Sequence, residues 1–298
     1  MVPQQACAFF THIFDLSIER RYRKLRADLD GRVQSFILAQ VNTPVSCDFL
    51  AEVHFFDYDR LRSGARRVIG NHVVPGNEHL VVLDFYRNYP GFEYYWFIEY
   101  DVVFTGNWAV LIDAVQEDSV DLLAGHIRSL HEEPEWAWWE TLDLPGCSLP
   151  RSDWLRTFGP IYRISRHGLQ VLNDHVKMGW SGHFEGLIPC VMRSASLSIG
   201  DLGGTGLWTP KQRRHQFYSS FSSPSPTGLL NAGTLRWRPA HYLPRLRRNT
   251  IFHPVKKRID IREAVLELLA MHHSWRGYLI HCVVSFYYTL LSFWPCAR

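Results

Sequence analysis

The chain has 298 residues, 46% of them hydrophobic and 20% charged, with a net charge of +3. That balance excludes general disorder, which needs low hydrophobicity and high net charge, and suits one large or two small globular domains. The charge implies no polyanion-binding surface, although basic residues cluster at 20–26, 211–214, 245–248 and 256–258; such clusters are usually solvated faces.

Along the chain, "CAFFTHIF" (7–14) reads as a first strand. A helix follows, with Ile18, Tyr22, Leu25 and Leu29 on one stripe and Ser17 as its expected cap. "VQSFILAQV" (33–41) returns as a second strand, and "AEVHFFDYDRL" (51–61) reads as strand, then loop. Strand, helix, strand at this spacing predicts a parallel sheet built from crossover units. Residues 79–89 form a helix candidate feeding "YYWFIEYDVVF" (94–104), apolar on both faces like a central parallel strand. Next come a helix capped by Asn107 with Trp108, Leu111, Ile112 and Val115 on one stripe, and a strand at 120–127.

Residues 128–157, with clustered Trp136, Trp138 and Trp139, read as an irregular region and a candidate lid. A strand at 158–165, helices at 166–178 and 184–195 and a strand at 197–202 complete the regular pattern. Residues 203–250 read mostly as loop. The expected fold class is α/β: one domain with a mainly parallel central sheet flanked by helices, a loop-rich C-terminal third and residues 1–260 as the catalytic unit. Residues 261–298 are expected to form a C-terminal helix and apolar tail; 277–294 reach the threshold length for a membrane span. No cleavable signal peptide is read at the start, so the expected location is cytoplasmic or membrane-associated. Six scattered cysteines form no CxxC pair and suggest no disulfide or metal framework.

Chemistry enters with "FIEYDVVF". On a strand, residues two apart share a face, so Glu99 and Asp101 are expected to project together. Burying two unpaired carboxylates is costly. The pair can meet a cationic side chain, be protonated, or sit at the strand's carboxyl end beside a bound cation, where open parallel sheets take ligands. Mg²⁺ or Mn²⁺ suits hard oxygen ligands and bridges to phosphates. Glu185 in "GWSGHFEG" (179–186) lies at a loop-to-helix junction, and "IFHPVKKR" (251–258) carries His253 and Lys256. Each alone has a plain structural reading, as a helix-start acid and a lone histidine. Asp57 and Asp59 in "FFDYD" are the internal rival to the Glu99/Asp101 pair.

Taken in order, the acid-x-Asp pair, the later loop-borne Glu and the late His-Pro-x-Lys resemble glycosyltransferases of the GT-A fold. More narrowly, "YYWFIEYDVVFTGNW", "GWSGHFE" and "FHPVK" resemble the shared blocks of a glycosyltransferase-like family. The resemblance covers about residues 7–260 in element order. It implies a metal site of Asp101, Glu99 and His253, with Mn²⁺ or Mg²⁺, and Glu185 as acceptor base. It also implies nucleotide contacts near Thr11 and His12, and phosphate contact by Lys256; Asp57 joins the donor-binding set. The implied reaction moves a sugar from a nucleotide-diphosphate donor to a carbohydrate or glycoconjugate acceptor, with inversion, and involves no nucleic acid. Two departures stand out: the first position of the metal pair is Glu99, not Asp, and the later acid follows His-Phe. Rival readings are a metal-dependent phosphohydrolase or nucleotidyltransferase, and a non-catalytic carbohydrate-binding or membrane-associated protein.

Overall fold

The computed structural model describes residues 4–220, 233–238, 240–241 and 248–256. The predicted tail, residues 261–298, lies outside the described residues. Among those described, no helix is long and apolar enough to cross a membrane.

Strand β1 (Gln5–Thr11) leads to α1 (Leu16–Asp28), β2 (Gln34–Gln40), β3 (Val53–Phe56) and α2 (Tyr58–Ser63). Then follow α3 (Glu78–Asn88), β4 (Tyr94–Glu99), β5 (Val103–Phe104), α4 (Trp108–Ala114) and β6 (Leu122–Ser129). Beyond a long irregular segment come β7 (Leu155–Ser165), α5 (Arg166–Lys177), α6 (Phe184–Ser194), β8 (Ile199–Asp201) and β9 (Ile251–Phe252). The main sheet has seven strands in the order β3-β2-β1-β4-β7-β6-β8, and β5 pairs with β9 apart from it. Strands β1 to β4 are mutually parallel, as are β6 and β8; only β7 runs against its neighbours β4 and β6. This is the mainly parallel, helix-flanked α/β sheet expected from the sequence.

The apolar runs bury both faces of the sheet. Tyr95 and Phe97 of β4 join one core cluster with α3, α5 and α6, while Trp96 and Ile98 join the other with α1 and α4. The period-2 alternation of the strand therefore feeds two cores. The predicted α1 stripe is the buried one: Ile18, Tyr22 and Leu25 face the sheet. Its cap, however, is Asp15, whose carboxylate accepts from the Ser17 and Ile18 amides at 2.7 and 3.0 Å. An Asp in extended backbone caps well, so the chain leaves β1 at Thr11, earlier than expected, and α1 starts at Leu16. The predicted loop after β3 is instead the short helix α2. The predicted strand 94–104 is also divided, because Tyr100 and Asp101 form a turn. Among the described residues, Cys7, Cys47, Cys147 and Cys190 are free thiols.

Candidate active site

Glu99 is the last residue of β4, and Asp101 follows in the turn that the Val102 amide closes onto the Glu99 carbonyl at 3.0 Å. The two acids therefore do not share a strand face, as the sequence had implied; a change of chain direction brings them together. Backbone pairing supplies the third group. Strand β5 lies antiparallel to β9, with Val103 opposite Phe252, and the Val255 amide donates to the Asp101 carbonyl at 2.9 Å. This seats the His-Pro-Val-Lys segment on the turn. Arg21 of α1 holds both pieces, donating to the carbonyls of Tyr100 (3.0 Å) and Val255 (3.2 Å).

The result is a cluster in which donor atoms of Glu99, Asp101 and His253 lie within 4.8 Å of one another. His253 Nε2 is 3.4 Å from Glu99 Oε2 and 3.3 Å from Asp101 Oδ1. The opposite ring nitrogen, Nδ1, is 2.9 Å from the Arg236 carbonyl. A carbonyl only accepts, so Nδ1 carries hydrogen and a neutral ring would aim its Nε2 lone pair at two carboxylates. That arrangement calls for positive charge at Nε2, either a proton or a cation. Burial opposes the imidazolium, yet the charge of Asp101, then that of Glu99, raises the His253 pKa to about 10. Burial alone would raise Asp101, but His253 and Lys256 hold it well below the carboxylate range.

These residues fit a divalent ion. Buried Asp101 Oδ1 makes no hydrogen bond of acceptable geometry, while Oδ2 accepts from Lys256 Nζ at 2.6 Å. One oxygen is thus held and the other left to ligate. Two carboxylates with one imidazole suit Mn²⁺ or Mg²⁺, and metal-bound histidines commonly donate their other N–H to a backbone carbonyl.

The cluster forms one wall of a cavity of about 1040 Å³, which opens beyond the carboxyl ends of β1 to β4. Thr11, His12 and Lys256 line it together with Glu99, Asp101 and His253. Lys256 sits on Asp101 with its amine 3.2 Å from the Tyr100 hydroxyl, and lines the cavity from that anchored position. Asp57 is not among the lining residues: its carboxylate caps α2, accepting from the Arg60 amide at 3.3 Å. Asp59 lines the cavity but is exposed and pairs with Arg62 at 2.9 Å. Both acids start a helix rather than alternate on a strand, so the rival pair dissolves.

Glu185 stands apart from the cavity lining, buried in the first turn of α6. His183 caps that helix, its Nδ1 accepting from the Glu185 amide at 3.4 Å. One Glu185 oxygen accepts from the Gly159 amide at 2.8 Å; the other lies 3.8 Å from Arg156 Nη1. Burial pushes the Glu185 pKa up to about 7 against the pull of Arg156, and the charges of Glu99 and His253 reach it. Behind Arg156 runs a buried chain that sequence reasoning missed. Arg156 Nε donates to Glu133 at 2.5 Å, and His126 bridges Glu133 (2.8 Å) to Ser220 (2.8 Å). The Glu133 oxygen only accepts, so His126 Nε2 carries the hydrogen and Nδ1 accepts from the Ser220 hydroxyl. No local motif marks these four residues, since they come from separate elements. In the Trp-rich segment, Trp139 is buried, Trp138 stacks on His183 at 5.0 Å and Trp136 meets it edge-on at 5.4 Å. The segment packs over the start of α6.

No family model matches the chain, and no curated protein matches it. Several solved structures resemble it in fold. Glucosyl-3-phosphoglycerate synthase from Mycobacterium tuberculosis, in complex with Mg²⁺ and uridine diphosphate, is 12% identical, covering 67% of this chain and 69% of that one, at a TM-score of 0.38. The galactosyltransferase LgtC, in complex with donor and acceptor sugar analogues, is 10% identical over 66% of this chain and 72% of its own, at 0.37. A protein from Bacillus anthracis assigned as a glucose-1-phosphate thymidylyltransferase is 10% identical over 70% and 91%, at 0.38. At such scores the functional reading rests on this chain's own site.

Proposed function

We propose that this chain is a glycosyltransferase that uses a divalent ion, Mn²⁺ or Mg²⁺, and a nucleotide-diphosphate sugar donor. The observation that carries the reading is the Glu99–Asp101–His253 cluster on the wall of a large cavity at the carboxyl edge of a parallel sheet. Ligands of such sheets bind at that edge. An ion held by the three residues would supply charge neutralisation at the leaving diphosphate. Thr11 and His12 border the nucleotide end of the cavity, and Lys256 adds positive charge beside the phosphates. Glu185 takes the proton of the acceptor hydroxyl as its oxygen bonds to the sugar's anomeric carbon. The bond from that carbon to the diphosphate oxygen breaks, and the nucleoside diphosphate leaves with the electron pair. Attack from the face opposite the diphosphate inverts the anomeric centre. Trp136 and Trp138 offer apolar surface to the acceptor beside Glu185.

Calorimetry with a panel of nucleoside diphosphates, with and without Mn²⁺, tests the reading. Binding is expected only with the ion, and Asp101→Asn is expected to weaken it by about 100-fold or more, beyond the loss typical of a supporting group. If no nucleoside diphosphate binds in an ion-dependent way, Asp101, Lys256 and His253 are a structural ion-pair network and the transferase reading is sunk.

A further inference from the structure

The cavity runs on beyond the metal cluster, and strand order gives its direction. Glu185 accepts from the Gly159 amide of β7, so a sugar between the ion and Glu185 lies over β4 and β7. The rest of the donor then extends the other way, over β1, β2 and β3. Along that edge Phe10 is level with Glu99, Thr11 with Ala39 and Gln40 with Phe56. Two strand spacings put Gln40 about 10 Å from Glu99, with Phe56 one strand further. Gln40, Phe56, Tyr58, Arg62 and Asn71 line this end of the cavity.

The polar groups here have their acceptors spent. Gln40 Oε1 accepts from the Tyr58 amide at 3.3 Å, and Asn71 Oδ1 accepts from Arg62 Nη1 at 3.3 Å. An amide and a guanidinium only donate, so each carboxamide is left with its NH2. The backbone carbonyls of Phe10, Gln40 and Phe56 accept from the Tyr100, Thr43 and Val41 amides at 2.9 to 3.0 Å. Those of His72 and Val73 accept from Asn77 at 2.8 Å. The Asp59 side chain is 76% exposed at the rim, with one oxygen held by Arg62 Nε at 2.9 Å. His72 and Tyr58 can donate or accept and favour neither. Tyr58 is 5% exposed, and its buried hydroxyl has no hydrogen-bond partner; such a group in a cavity wall calls for a ligand.

Resting on the transferase reading above, we propose that this end of the cavity holds the donor's nucleobase and selects an oxo base over an amino base, with Gln40 as the specificity-determining residue. The Gln40 NH2, seconded by that of Asn71, donates to the exocyclic oxygen of the base. That oxygen is O4 in uracil or thymine and O6 in hypoxanthine or guanine. The ring N–H beside it is left for the rim, where Asp59 and solvent accept. Cytosine and adenine carry an amino group at the same place. Their N–H bonds would face those of Gln40, leaving donors unpaired on both sides, which costs more than a typical hydrogen bond contributes. Discrimination by a site built to hydrogen-bond one group is strong for that reason. Phe10, Phe56 and Val73 supply apolar surface for the ring faces.

Calorimetry on the full chain with Mn²⁺ separates this from the parent reading. The probes are two matched pairs, uridine against cytidine diphosphate and inosine against adenosine diphosphate. Members of a pair differ at the oxo or amino edge and not in phosphate charge, and the tighter pair identifies the ring. Its oxo member is expected to bind about tenfold or more tightly than its amino partner. Gln40→Glu keeps an oxygen for the Tyr58 amide and replaces the NH2 with a second acceptor, so most of that ratio should disappear. Its added charge acts equally on both members and cancels from the ratio. Asn71→Asp should narrow the ratio less; Asn71 is exposed, so this variant is expected to fold, and the wild-type ratio needs no variant at all. Equal binding of oxo and amino members by the wild type overturns the proposal and leaves the parent reading standing. An oxo preference kept in full by folded Gln40→Glu overturns the role of Gln40. If none of the four binds in an ion-dependent way, the parent reading falls and this one with it.

Discussion

Glu185 is the residue at which rate and stability pull in opposite directions. Its pKa is raised to about 7 by burial, so the folded state favours the protonated acid. The stability this group contributes is complete below its unfolded value and is lost as pH rises through about 7. A base must be ionised, so activity runs the other way. The transfer rate is expected to fall about tenfold per pH unit as pH drops below about 7, measured as initial rate against pH. Glu185→Gln should retain ion-dependent diphosphate binding and lose turnover by about 100-fold or more; a variant with intact turnover would remove Glu185 from the mechanism. The candidacy of this residue was legible in "GHFE" only as a helix-start acid. Its raised pKa comes from burial against the pull of Arg156 and the Gly159 amide on β7, a balance that no local motif encodes.

At the scale of elements, the position of Glu185 depends on β7 and α6 packing at one glycine and one arginine. A Cβ at Gly159 would lie 2.3 Å from the Phe184 ring and 3.3 Å from Glu185 Cγ. Gly159→Ala is therefore expected to destabilise the fold by about 1–3 kcal/mol through overpacking, lowering Tm by several degrees in thermal unfolding. Arg156→Met tests the electrostatic side of the same junction. Arg156 lowers the Glu185 pKa against burial, so its removal should move the acid limb of the pH–rate profile to higher pH. Glu133→Gln, which loosens the hold on Arg156, should move it less; a profile unchanged in both variants would show that Arg156 only packs. Helix and strand identities were largely readable here because the apolar stripes of α1 and α4 and the two-faced apolar run of β4 are strongly periodic. The breaks were not readable. The end of β4 at Glu99 and the Asp57 cap of α2 are settled by side-chain-to-backbone bonds and by β9, which starts 152 residues beyond Glu99.

For the whole molecule, what matters is that a late segment completes an early site. The sheet edge collects Thr11, His12 and Glu99 from neighbouring parallel strands, a meeting that strand order predicts. His253 reaches them only through the β5–β9 pairing, so its role was suggested by resemblance and not by spacing. Coupling between distant segments should appear in the stability of the folded chain. A ligand that binds only the native state stabilises by about 2.7 kcal/mol at a hundredfold excess over its Kd, which for a chain of this size raises Tm by about 4 °C. Mn²⁺ and a nucleoside diphosphate together are expected to produce that shift in calorimetric scans, because the ion bridges the acidic cluster to the phosphates. The diphosphate alone should shift Tm little, since Glu99 and Asp101 repel it. Asp101→Asn should abolish the joint shift while its own ligand-free Tm changes by less than the shift lost, because the Lys256 and His253 contacts it weakens lie at the cavity wall and not in either core. A joint shift that survives Asp101→Asn would place the ion elsewhere in the molecule.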